Sequence, residues 1–295
     1  MIAIGDYRTV EFLRKEEVKT RLKTLNKNII HALDKIDLKE LKEDELAFLK
    51  DLRSFYTTDG FCFFSLRPEN IIGDLNACPT SRLKDSIFDA LNYKSRRTDL
   101  LPEYFHHLGI KACIYCNSQS ALTFEKEDGE FKSLLQADHS HPKDKYPYLA
   151  VSLFNLYPCC SSCNLHKSSN EIVFDLYSNE KHESRIRFSL TDESLIRFTV
   201  ERDYRKIQFQ VEGDKNFIAK FHLNEIYDAH QDIAEELVVK ALAYNSAYKN
   251  ELKKLGITDE DIKRHLVGNY TNDHEMFKRP LSKFMADIAR DLKMI

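Results

Sequence analysis

Seven cysteines punctuate the 295-residue chain, and four of them fall into two C-x-x-C pairs, Cys113/Cys116 and Cys160/Cys163. A C-x-x-C loop turns back on itself so that both sulfurs reach one ion, and two such loops close a tetrahedron around Zn²⁺. Because the pairs lie about 45 residues apart, such a site would staple distant segments together. An odd cysteine count without a secretory leader fits metal binding better than disulfides. Cys62 and Cys78 sit among apolar neighbours and are expected in the core. Cys159 stands one residue too early for the knuckle spacing and is expected to pack at the end of a strand.

Between and around the pairs runs LLQADHSHPKDKYPYLAVSLFNLYPCCSSCNLHK. Asp138-His139 ends one predicted strand, and Pro142 follows. Asn155 lies in a second, SLFNLYP. Asn164-x-x-Lys167 then opens a short helix, with Ser161 or Ser162 available near its N-terminus. The order strand–loop–strand–helix, with D-H-x-x-P … N … C-x-x-C-N-x-x-K, resembles the HNH (ββα-metal) endonuclease family, including its members with paired zinc knuckles. The nine-residue interval from Asn155 to Asn164 agrees with it. The resemblance covers roughly Ile110 to Lys167, about a fifth of the chain.

That resemblance implies phosphodiester hydrolysis, and the residue types suit it. A neutral His139 imidazole can take the proton of an attacking water. Asp138 and Asn164 offer hard oxygen ligands for Mg²⁺ or Mn²⁺, which would act as Lewis acid and leaving-group clamp. A single catalytic ion is implied by the family. Asn155 resembles its middle asparagine, whose amide braces the loop carrying the base. Lys167 reads equally as a contact to the substrate phosphate or as a solvated helix lysine. His141 is expected in packing or on the substrate side. His166, two residues from Asn164, faces elsewhere on the helix, and His106 and His107 read as surface or packing residues. The runs KSRR (94–97) and RDYRK (202–206) are phosphate contacts or solvated faces, and KYPYL (145–149) either stacks on a base or packs on the core.

The stretch DHSHPKDKYPYLAVSLFNLYPCCSSCN is similar to stand-alone bacterial HNH proteins of antiphage systems, such as the Septu type and retron-linked nucleases. Fainter likenesses lie in GNY (268–270) and KRPLSKFMADIA (278–289). This implies a defence effector that acts with a partner ATPase.

The surrounding elements must hold these residues in place. Apolar residues recur at helical spacing from Val10 to Leu33, and further helices are predicted over Glu43–Phe55, SRLKDSIFDALNY and LLPEYFHHLGI. FCFFSL reads as a short buried strand or core segment. RIRFSL, IRFTVE and RKIQFQVEG alternate as strands of a small antiparallel sheet. NEIYDAHQDIAEELVVKALAYNSAYKNELKKL carries a long helical apolar stripe. TDEDIKRHLV, capped by Thr258, and Leu281–Leu292 complete the set. The expected fold class is α+β: a helical N-terminal region (1–109), a ββα-metal module with zinc knuckles (110–170), a β-rich segment (171–213) and a helical C-terminal region (214–295).

At 31% charged and 42% apolar residues, the composition is that of an ordinary globular protein. A net charge of −3 does not advertise nucleic acid, although whole-chain balance can hide a local basic groove. Charges arrive too early for a signal-peptide core and no apolar run reaches membrane length, so a cytoplasmic location without a membrane is expected. Besides DNA cleavage, two readings stay open: an HNH ribonuclease acting on tRNA, and a catalytically silent zinc-stapled binding or scaffold protein.

Overall fold

The structure, a computed structural model, describes residues 3–171, 174–178, 186–201 and 207–295. Its N-terminal third is helical: α1 (Tyr7–Arg14), α2 (Glu16–Asp34), α3 (Glu43–Tyr56), α4 (Ser81–Leu91), α5 (Tyr93–Asp99) and α6 (Leu101–Leu108). The predicted Val10–Leu33 helix divides at Lys15, whose ψ of 128° is extended. The break lets α1 lie on α6, where Phe12 packs 5.3 Å from Tyr104 and Arg8 donates to the Leu108 carbonyl. FCFFSL is core but not a strand. Asn26 of α2 donates to the Phe61 carbonyl and accepts from the Phe63 amide, occupying groups that a strand partner would need, and Phe63–Ser65 turns as a 3-10 helix.

The middle of the chain carries a hairpin of β1 (Thr123–Glu125) and β2 (Phe131–Ser133), then β3 (Gln136–His139) antiparallel to β4 (Leu156–Cys159), then α7 (Ser161–Lys167). Asp138 faces Tyr157 in the register and His139 faces Leu156. Asn155, expected within the second strand, lies instead in a 3-10 turn (Leu153–Asn155) just before β4.

In the next segment β5 (Ile186–Leu190) pairs antiparallel with β6 (Phe209–Gly213). IRFTVE is not a strand. Thr191 accepts from the Ser194 amide, and α8 (Asp192–Ile196) runs into a π turn over Arg197–Glu201. The cap, with Asp192 and Glu193 in the first turn, outweighs the alternating pattern. The RDYRK run lies outside the described residues. The long C-terminal stripe is cut into α9 (Lys215–Lys220), α10 (Leu223–Asp228), α11 (Gln231–Ala243) and α12 (Ser246–Lys254), the last capped by Asn245. Thr258 caps α13 (Asp259–Val267) as expected, and α14 (Ser282–Asp291) follows.

The described residues therefore make an α+β fold with small antiparallel pairs. Buried apolar side chains from Ile4 to Met294 join one core, so the helical ends pack on the middle. No helix among the described residues is long and apolar enough to cross a membrane.

α14 is bound to β5 through charge. Asp287 accepts from the Phe188 amide at 3.1 Å, from Arg290 at 2.7 Å and from the buried Lys283 ammonium. Asp287→Ala would strand that ammonium in the core, so a loss of about 3 kcal/mol or more is expected. The urea midpoint measures it, and an unchanged midpoint would refute the anchoring role.

Candidate functional site

The two C-x-x-C loops converge. The sulfurs of Cys113, Cys116, Cys160 and Cys163 all lie within 4.8 Å of one another, and all four residues are buried. A zinc tetrahedron with bonds of about 2.3 Å has sulfur–sulfur edges of about 3.8 Å, so this all-thiol set fits Zn²⁺. Burial first, and then the neighbouring Cys116 and Cys160, push the Cys113 thiol well up; a divalent cation reverses that by stabilising thiolates.

Local hydrogen bonds shape each loop. In the first, the Asn117 amide donates to the Cys113 carbonyl, and Asn117 adopts the left-handed φ of 55° that closes the turn. In the second, Cys160 caps α7, its sulfur accepting from the Cys163 amide at 3.5 Å. The C-terminal helices grip the first loop. Tyr227 of α10 donates to the Cys116 carbonyl, and the Asn117 side chain accepts from the Lys283 amide of α14. Cys159 is the spare, buried on β4 with its sulfur 3.7 Å from the Gln136 carbonyl. Cys62 and Cys78 are half-buried against the core.

Both knuckles also deliver a donor to Asp138, which is buried at the end of β3. Tyr115, between the first two cysteines, donates its hydroxyl to Oδ2 at 2.5 Å. Lys167, at the end of α7, places its ammonium 3.2 Å from Oδ1 and 3.1 Å from Oδ2 and donates to the His139 carbonyl. Burial raises the Asp138 carboxyl above its usual range, and Lys167 and Tyr115 oppose the shift. Lys167 is therefore neither a solvated lysine nor an exposed phosphate contact. Its side chain is 1% exposed, and its charge is already taken by Asp138. Asn164 lies three residues before Lys167, hence on the same face of α7, and is half-buried. Oxygen donors of Asp138 and Asn164 fit a hard cation, which would have to share the carboxylate with this ammonium or displace it.

His139 is buried, with Nε2 3.0 Å from the Ala150 carbonyl. A carbonyl only accepts, so Nε2 carries the proton and Nδ1 keeps the lone pair. Burial, with smaller contributions from Lys143, Lys167 and Arg97, holds the imidazole at a pKa of about 3. Asn155, fully buried, accepts from the His141 amide at 2.8 Å and donates to the carbonyls of His141 and Leu149. Its one side chain thus pins both ends of the loop that follows β3.

Three other histidines meet aromatic rings. His106 stacks on Phe131, His107 on Phe12, and His141 meets Tyr146 edge-on. Exposed His166 touches His222. The KYPYL loop packs inward, with Tyr148 donating to the Leu75 carbonyl. Sequence reasoning missed Tyr115 and also Tyr93, whose ring lies 5.0 Å from that of His139; no spacing marks either residue. No protein-family model, curated protein or solved structure matches the chain.

Metal analysis of the desalted protein should find about one zinc per chain, and Cys160→Ser should lose it and melt lower; a zinc-free chain with an unchanged melting temperature would refute the staple. Burial of neutral His139 also has a pH signature. The unfolded imidazole takes a proton below about pH 6.5, whereas the folded one resists until about 3. The stability of the native protein relative to His139→Gln should therefore be constant above pH 6.5 and fall by about 1.4 kcal/mol per unit below it. Parallel urea midpoints from pH 7 to pH 5, about two units apart, would contradict this.

Proposed function

We propose that the chain is a metal-dependent endonuclease of the HNH kind that hydrolyses phosphodiester bonds in DNA. The observation that carries this reading is the meeting, around Asp138, of the β3–β4 hairpin and the α7 face that bears Asn164 and Lys167, with a neutral histidine next in sequence.

In this reading Asp138 and Asn164 would hold a Mg²⁺ or Mn²⁺ ion, which would supply Lewis acidity to the phosphate and to the departing oxygen. His139 Nδ1 accepts the proton of the attacking water. A base with a pKa of about 3 is weak, but a phosphodiester anion beside the ring favours the imidazolium and raises its proton affinity. Asn155 keeps the loop rigid, so that the base does not drift from the phosphate. By the likeness to antiphage HNH proteins, we further propose that the nuclease is a bacterial defence effector working with a partner ATPase.

One observation favours a second reading. Lys167 balances Asp138 without any added ion, which suits a zinc-stapled scaffold or nucleic-acid-binding protein with no cleavage of its own. Incubation with plasmid, single-stranded DNA and tRNA in Mg²⁺ or Mn²⁺ separates the two. Metal-dependent cutting of DNA is expected, falling by about 100-fold or more in His139→Ala with zinc retained. Cutting of tRNA alone would turn the assignment to a ribonuclease. Binding without cleavage of any substrate, or full activity in the variant, would overturn the nuclease reading.

A further inference from the structure

Near His139 the structure places two cations that, among the described residues, form no ion pair with a carboxylate. α5 carries Tyr93 and Arg97 four residues apart, hence on one face. Tyr93 is buried against the His139 ring. Lys143, in the loop pinned by Asn155, holds its ammonium 5.3 Å from the ring centroids of both Tyr93 and Phe88. The Tyr93 ring thus lies near both Lys143 and the candidate base.

Several neighbouring cations are already paired. Arg96 pairs with Asp99 at 2.6 Å, Lys145 with Glu171 at 2.9 Å, and Lys84 with Asp144 at 3.6 Å. Among the described residues, Arg97 and Lys143 form no ion pair with a carboxylate. Burial lowers the basicity of Lys143, with Asp144 opposing and Arg97 and Lys84 adding smaller contributions to the same effect. Two like charges held near each other and near a buried histidine are unfavourable unless something anionic joins them. The aromatic faces of Tyr93 and Phe88 offset part of that cost while leaving the ammonium free to bond. Lys167, which the sequence offers as one candidate for a phosphate contact, is sealed inside, so an anion approaching His139 meets Arg97 and Lys143 instead.

We propose that Arg97 and Lys143 form the phosphate-gripping edge of this site, binding the sugar–phosphate backbone of a nucleic acid beside His139. The placement of that edge rests on the nuclease reading of the site; the binding itself does not require cleavage. Phosphate contacts of this kind position the strand and carry no sequence preference.

The test measures binding of labelled duplex DNA, single-stranded DNA and RNA of equal length to the full chain, without added Mg²⁺ or Mn²⁺, by fluorescence anisotropy across a salt series. Each of Arg97→Ala and Lys143→Ala should lower the slope of log K against log salt by about 0.9 on duplex, or about 0.7 on single strands, and the double variant by about twice that. Arg97→Lys and Lys143→Arg should restore it, and Lys263→Ala, on exposed α13, should leave it unchanged. Circular dichroism and zinc content show that the variants fold. Slope loss confined to one nucleic acid names that source; equal loss on all three assigns the shared phosphate backbone. Slopes unchanged in both alanine variants, or no binding by the native chain, would overturn the proposal. Slope loss without any metal-dependent cleavage would sink the nuclease reading and leave the grip standing. Cleavage with unaltered slopes would do the reverse.

Discussion

Four buried thiols drawn within 4.8 Å of one another set the geometry of everything around them. They join the loop at residue 113 to the helix that starts at residue 161, and each loop then hands a donor to the same carboxylate. Tyr115 comes from inside the first knuckle, and Lys167 from the far end of the helix that Cys160 caps. Neither donor would reach Asp138 if its loop drifted. The C-terminal helices depend on the same constraint, because Tyr227 and α14 fasten to the backbone of the first knuckle. A metal on the thiols therefore supports the candidate active site and the C-terminal packing at once.

Around Asp138 the decisive balance is between desolvation and pairing. A carboxylate at 5% exposure and a lysine at 0% are costly to bury apart, and each makes the other tolerable. The same low polarity keeps His139 neutral. A site that is quiet in this state, with its acid paired and its base weakly basic, needs an added charge to become reactive. Arg97 and Lys143, which form no ion pair with a carboxylate among the described residues, would on our proposal supply the attraction that brings a phosphate there.

Much of this was legible in the sequence where local rules dominate. The C-x-x-C spacing located all four thiols and singled out Cys159, because a knuckle fixes its own geometry. The Thr258 cap and the Asp138–His139 strand end follow from neighbours in sequence. Errors arose where a local feature met a stronger competitor. IRFTVE alternates like a strand but follows a capping threonine, and FCFFSL gives its backbone groups to Asn26, 35 residues away. The burial of Lys167 and the reach of Tyr115 were invisible because both depend on how the two knuckles close in space. Within KSRR, no rule of spacing tells Arg96, paired with Asp99, from Arg97, unpaired.

On our proposal one turn serves two metal sites, thiols on one side and Asp138 with Asn164 on the other. Anomalous diffraction from crystals soaked in Mn²⁺, collected at the zinc and manganese edges, tests it most directly. A zinc peak bonded to the four sulfurs and a manganese peak on the Asp138 carboxylate are expected, with the Lys167 ammonium shifted from its present contact. Zinc at the sulfurs, no manganese at Asp138 and Lys167 unmoved would contradict it.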